Sequence, residues 1–137
     1  MEKTLVLAKP DAFKRKMVGK IITRLEDKGL HMRGLKMIQL NDEILHEHYS
    51  HLKEKSFFPD ILSFMKSAPV VAMVWEGPNA VEAVRKIIGA TNPLQAEMGT
   101  IRADYAPSTD ENLIHASDSV ESAKKELDRF FKKEELF

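Results

Sequence analysis

The sequence predicts an α+β fold, a split β-α-β sandwich in which an antiparallel sheet carries helices packed on one face. Three observations point there. Short apolar runs alternate with amphipathic stretches in the order β-α-β-α-β-α-β. The middle connection reads as helical in more than one piece. The chain's 137 residues, 43% of them hydrophobic, show no repeat or interdomain linker, so one domain over 1–137 is expected. This pattern leaves the strand order open, and other α/β arrangements remain compatible with it.

Thr4-Leu5-Val6-Leu7-Ala8 is a run of strand formers stopped by Pro10, which leaves Lys9 at a strand end. Val18, Ile21, Ile22 and Leu25 follow at helical spacing, with Gly29 suited to the C-cap. A strand is expected over His31 to Leu40, although its apolar residues do not alternate cleanly. Asn41 or Asp42 can cap a helix running to about Leu52, and a second short helix fits Pro59 to Lys66. Pro69 then opens the continuous run Val70 to Trp75, a central strand closed by Gly77-Pro78. Asn79 can cap the next helix, whose stripe is Val81, Val84 and Ile88, with Arg85 at its edge. From Ala90 to Glu111 no period holds, and so long an irregular segment in a compact domain marks a functional or binding loop. A short strand precedes His115. The final helix begins near Ser119, where Asp118 and Glu121 read as a capping box ahead of Val120, Ala123, Leu127, Phe130 and Phe131.

Composition excludes several classes. Lys plus Arg and Asp plus Glu number 21 each, so no general basic surface exists for nucleic acid or anionic membrane, and any phosphate site must be local. Without cysteine there is no disulfide framework and no thiolate metal site. The N-terminus lacks the apolar run of a signal peptide, and no stretch approaches membrane-spanning length; a soluble cytoplasmic protein is the expectation.

His115 stands just upstream of a helix start. Unpaired N–H groups and a partial positive charge favour phosphate there, and imidazole is among the few side chains that accept a phosphoryl group covalently. The octet Asn112 to Ser119 matches the signature Asn-x-x-His-(Gly or Ala)-Ser-Asp-(Ser or Ala), and on it the chain resembles the nucleoside diphosphate kinases. Further blocks carry the resemblance along the chain: Lys9-Pro10-Asp11, His48-Tyr49, Phe57-Phe58, Pro69 to Gly77, Thr91-Asn92-Pro93, Gly99 to Arg102 and Ser119 to Ala123. It implies a ferredoxin-like fold with a four-stranded antiparallel sheet. It also implies γ-phosphate transfer from ATP or another nucleoside triphosphate to nucleoside diphosphates, by a ping-pong route through phospho-His115.

Phosphoryl transfer without a Gly-rich phosphate loop needs scattered cations, and none of the loop motifs is present. Position singles out Lys9 at a strand end, Arg85 beside a buried stripe and Arg102 in the long loop. The resemblance makes these the phosphate-binding lysine and arginines, with Thr91 as a hydroxyl donor and Asn112 as a ribose contact. It further assigns Phe57 to stacking on the base, with Phe58 turned inward. Tyr49 and Ser117 would stand near the catalytic histidine, and Glu126 would hold its other ring nitrogen. The remaining histidines, His31, His46, His48 and His51, lack such a setting; for the cluster at 46, 48 and 51 a helical surface is the better reading than a metal site. No protein metal ligands are expected, because Mg2+ in the family is held mainly by nucleotide phosphates and water. Ala116 replaces a more usual glycine at little cost if its φ is negative, and Lys55-Ser56 stands where many members have Arg-Pro. A homo-oligomer is expected, hexamer over tetramer, built through the long loop. The alternative is a non-catalytic ferredoxin-like binding or regulatory module, against which zero net charge and the missing RNA-binding aromatic signature speak.

Overall fold

Strand β1 (Glu2–Ala8) explains the architecture, because none of its last five residues is exposed on either side. Val6 and Ala8 face a first apolar cluster, and Leu5 and Leu7 face a second. A strand buried on both faces reads as a continuous apolar run instead of an alternating one. The same holds for β3 (Val70–Gly77), whose Val71, Met73 and Trp75 enter the first cluster while Ala72 and Val74 enter the second. The computed structural model describes residues 1–137.

The sheet has four strands in the order β2-β3-β1-β4, with β2 at His31–Ile38 and β4 at Ile114–Ala116, every pair antiparallel. This is the expected ferredoxin-like arrangement, with one correction. Helices cover both faces of the sheet, since α2 (Val18–Asp27) and α5 (Ala80–Ile88) supply the first cluster and α3 (Asp42–His48), α4 (Phe58–Met65) and α7 (Val120–Phe130) the second. The unbroken apolar runs of β1 and β3 require that second layer.

Local chemistry sets the element ends, in several places differently from the sequence expectation. Gly29, with φ 91°, follows the last turn of α2 as expected of a terminating glycine. Strand β2 shifts register between Met32 and Gly34, and this bulge accounts for its irregular apolar pattern. Asn41 caps α3 by accepting from Ile44 N at 3.0 Å, but that helix ends at His48 and continues only as a 3₁₀ turn at Ser50–Leu52. Asn79 does not cap α5. It has φ 50° and makes no capping bond, while Glu2 Oε1 accepts from Val81 N at 3.3 Å. Ser119, not Asp118, caps α7, accepting from Ser122 N at 3.0 Å. Two short helices lay outside the sequence expectation, α1 (Pro10–Lys14) with proline in its first turn and α6 (Ile101–Tyr105) capped by Thr100.

The segment from Gly89 to Glu111 is therefore not a free loop. Arg24 donates to Gly99 O and Asp104 Oδ2, each at 2.7 Å, and Arg15 to Tyr105 O at 2.8 Å. Arg102, almost wholly buried, donates to Asn112 O at 3.2 Å, to Gly89 O at 3.0 Å and to Ile114 O. Three arginines of the same chain thus tie this segment to the end of α1, to α2 and to the approach of β4.

Candidate active site

His115 is the middle residue of β4, paired with Leu7 of the buried β1. Its backbone is therefore held by pairing with the buried centre of the sheet. The imidazole Nε2 lies 3.1 Å from Glu126 Oε1, on the second turn of α7. Ser117, fully buried, donates its hydroxyl to that same oxygen at 2.7 Å, and its Oγ accepts from Leu5 N at 3.2 Å. Burial opposes ionisation of Glu126, but the bonds from His115 and Ser117 outweigh it and hold the carboxyl below its ordinary range. An ionised carboxylate can only accept, so Nε2 carries the ring proton and Nδ1 keeps its lone pair.

Around the imidazole opens a cavity of about 710 Å³ lined by Lys9, Tyr49, Arg85, Thr91, Arg102, Asn112, His115 and Glu126 among others. These are eight of the ten residues singled out from the sequence. Ser117 sits behind Glu126 and does not line the cavity. Phe57 stands outside the lining, half-exposed between the 3₁₀ turn and α4, while Phe58 is buried as expected. Ala116 is not among the residues with positive φ, so its methyl group is accommodated without strain.

The cations differ in what they have free. Lys9 Nζ donates to Asn112 Oδ1 at 2.8 Å, and Asn112 Nδ2 to Thr91 O at 3.1 Å, so lysine, amide and loop form one strand of bonds. Burial lowers the Lys9 pKa, with Asp11 offsetting part of the effect. Burial, and then the charge of Arg85, bring Arg102 down to about 10, which leaves it charged at neutral pH. Its three bonds to carbonyls make it a strut as well as a cation. Arg85, on the outer face of α5, is exposed and has no bonded partner. Burial, and secondarily Glu126, push Tyr49 up to about 12, so its hydroxyl remains a donor.

The sequence reading holds for His31 and His46, which are exposed; His51 is exposed as expected but lines the cavity, and the reading is wrong for His48, which is buried. Its ring stands edge-to-face with His115 at 4.6 Å between centroids and touches Tyr49 and Phe130. Arg129 donates to His48 Nδ1 at 2.8 Å. Two signals could have placed them. His48 adjoins Tyr49, already assigned to the site, and Arg129 lies three residues beyond Glu126 on the same helical face. The nearest approach to a metal-binding set is His48, His115 and Glu126, whose donor atoms lie within 4.8 Å. Two nitrogens and one engaged carboxylate do not suit Mg2+, which prefers oxygen.

The model of the family described as nucleoside diphosphate kinase matches residues 2–136. A nucleoside diphosphate kinase of Parabacteroides distasonis is 53% identical over the whole chain and 90% of its own length. One from Methanocaldococcus jannaschii is 51% identical over 99% of this chain and 97% of its own. Among solved structures, a halophilic nucleoside diphosphate kinase from Halobacterium salinarum in complex with CDP superposes with a TM-score of 0.96, at 45% identity, over 99% of this chain and 91% of that one.

The buried histidine gives the site a signature in acid. Burial, and then the charge of His115, lower His48 from 6.5 to about 3, so between those pH values the unfolded chain binds the extra proton. Stability is thus lost as pH falls from 6.5. The lowered Glu126 adds a loss only below its ordinary 4.5. Urea midpoints should therefore drop between about pH 6.5 and 5 in the parent and much less in His48→Gln; equal slopes would contradict the assignment.

Proposed function

The chain belongs to the nucleoside diphosphate kinase family and is a phosphotransferase of that activity, and we propose that it works by a ping-pong route through His115, as one domain over 1–137. The observation that carries this is the pairing of His115 Nε2 with Glu126, which leaves Nδ1 free among Lys9, Arg85 and Arg102. The Nδ1 lone pair attacks the terminal phosphorus of a nucleoside triphosphate. The bond to the bridging oxygen breaks, and the nucleoside diphosphate leaves with that electron pair. A second nucleoside diphosphate then attacks the phosphohistidine through a terminal oxygen, and the imidazole is restored. Glu126 stabilises the positive charge that develops on the ring, and Ser117 keeps Glu126 in place.

Lys9, Arg85 and Arg102 face the phosphate oxygens, Tyr49 and Thr91 offer hydroxyls, and Asn112 reaches the ribose. Phe57, exposed beside α4, suits stacking on the base, and a π-face accepts any base. Mg2+, held by phosphate oxygens and water, supplies further charge neutralisation when bound. No observation favours the non-catalytic binding module, and no specific nucleic acid is expected as a partner. No helix is long and apolar enough to cross a membrane, and we place the enzyme in the cytoplasm.

We propose a homo-oligomer, hexamer favoured over tetramer; apolar side chains left in solvent support assembly. Leu94 and Met98 of the long segment are 92% and 96% exposed. Internal arginine ties already order the segment, so subunit contacts would cover it more than shape it. Light scattering across dilution should show an assembly that persists with activity; a fully active monomer at every concentration would contradict it.

Incubation with γ-labelled ATP and magnesium should leave an acid-labile, alkali-stable label on the chain. His115→Ala should lose that label and turnover while still folding, because the side chain's chief part is covalent. Phosphate exchange by the variant at a substantial fraction of the parent rate would sink the reading.

A further inference from the structure

Leu113 is fully buried and has φ 74°, one of three non-glycine residues at positive φ. Ile114 N donates to Asn112 O at 2.9 Å, so residues 112 to 114 form a γ-turn of the rare, strained, positive-φ kind. Such a turn persists only where its surroundings over-determine it. Here both backbone groups of Leu113 are clamped by one short stretch of chain. Its carbonyl accepts from Lys9 N at 2.9 Å, and its N–H donates to Asp11 Oδ2 at 3.0 Å.

Asp11 stands in the first turn of α1 and is 4% exposed, and its Oδ1 has no partner. A buried carboxylate with one oxygen unpaired opposes stability. Packing alone would favour an apolar side chain there, and what the carboxylate secures is the turn. The turn in turn aims Asn112, whose amide bridges Lys9 Nζ and Thr91 O. His115 does not share this dependence, since its backbone is held by pairing with Leu7.

We propose that Asp11 is a positioning residue of the nucleotide site: its carboxylate holds the strained turn at Leu113 and so sets Asn112 and Lys9 against the substrate. The inference rests on the reading of Lys9 and Asn112 as nucleotide contacts. Because a negative charge near Lys9 could act through space instead, the test separates charge from hydrogen-bond geometry.

ADP affinity by calorimetry, KM and kcat for nucleoside diphosphates, final phosphoenzyme yield and thermal melts are compared across variants. Asp11→Ala should weaken ADP binding and raise KM about ten-fold, with the phosphoenzyme yield unchanged. Asp11→Asn keeps an oxygen acceptor for Leu113 N without the charge, and should stay within about two-fold of the parent. Adding Leu113→Gly to Asp11→Ala should lower the melting temperature further and yet tighten ADP binding, because glycine adopts positive φ freely. A purely structural role would move both readouts the same way. Parent-like affinity in Asp11→Ala, an Asp11→Asn as weak as Asp11→Ala, or a double variant that binds no more tightly would each overturn the proposal. If Asp11→Ala does not fold, Asp11→Glu keeps the charge but displaces the acceptor; a raised KM supports the proposal and a parent-like KM overturns it. Failure of the parent itself to bind ADP would overturn the proposed function instead.

Discussion

The hydrogen bond between His115 Nε2 and Glu126 is the constraint on which the proposed chemistry depends. It fixes the tautomer, and with it the nitrogen that can act as nucleophile. Each partner is anchored in a different layer. The histidine rides on β4 against the buried centre of the sheet, and the glutamate projects from α7, which packs on one face. Ser117 closes the arrangement by bonding both to Glu126 and to the backbone of β1. A shift of α7 relative to the sheet would break the carboxylate contact before it disturbed either element, so the packing of Phe130 against Leu5 and Leu7 in the second apolar cluster bears directly on the site.

The cations are arranged with a similar division of labour. Arg102 spends three of its donors on carbonyls and ties the long segment to the approach of β4, Lys9 is coupled to Asn112, and Arg85 stands free at the surface. Two cations are thus preorganised by the fold before any nucleotide arrives. The third keeps the rotamer freedom of an exposed side chain. Preorganised charge stabilises a developing phosphoryl transition state more than mobile charge does.

Much of this was legible in the sequence, for reasons that can be stated residue by residue. Apolar period exposed β1, β3, α2, α5 and α7, and the signature around His115 drew eight residues to one cavity. What escaped was set by tertiary context. The α7 cap lies one residue from the expected one, because Ser119 and Asp118 are equally good cappers by type and only the chain path selects between them. Asn79 lost its capping role to Glu2, distant in sequence. Burial of His48 could not be read from the apolar period of α3, and only its neighbour Tyr49 pointed to the site, since His115, Phe130 and Arg129, which help enclose it, come from the far end of the chain. The second helical layer was hidden for a simpler reason: an unbroken apolar strand announces two covered faces without saying what covers them.

The central claim concerns a single nitrogen, and phosphorus NMR of the phosphorylated enzyme carrying nitrogen-labelled histidine observes it directly. With Glu126 holding Nε2, the account predicts one-bond phosphorus coupling to Nδ1 of His115 and to no other ring nitrogen. A phosphoryl group on Nε2, or on a histidine other than His115, would contradict it.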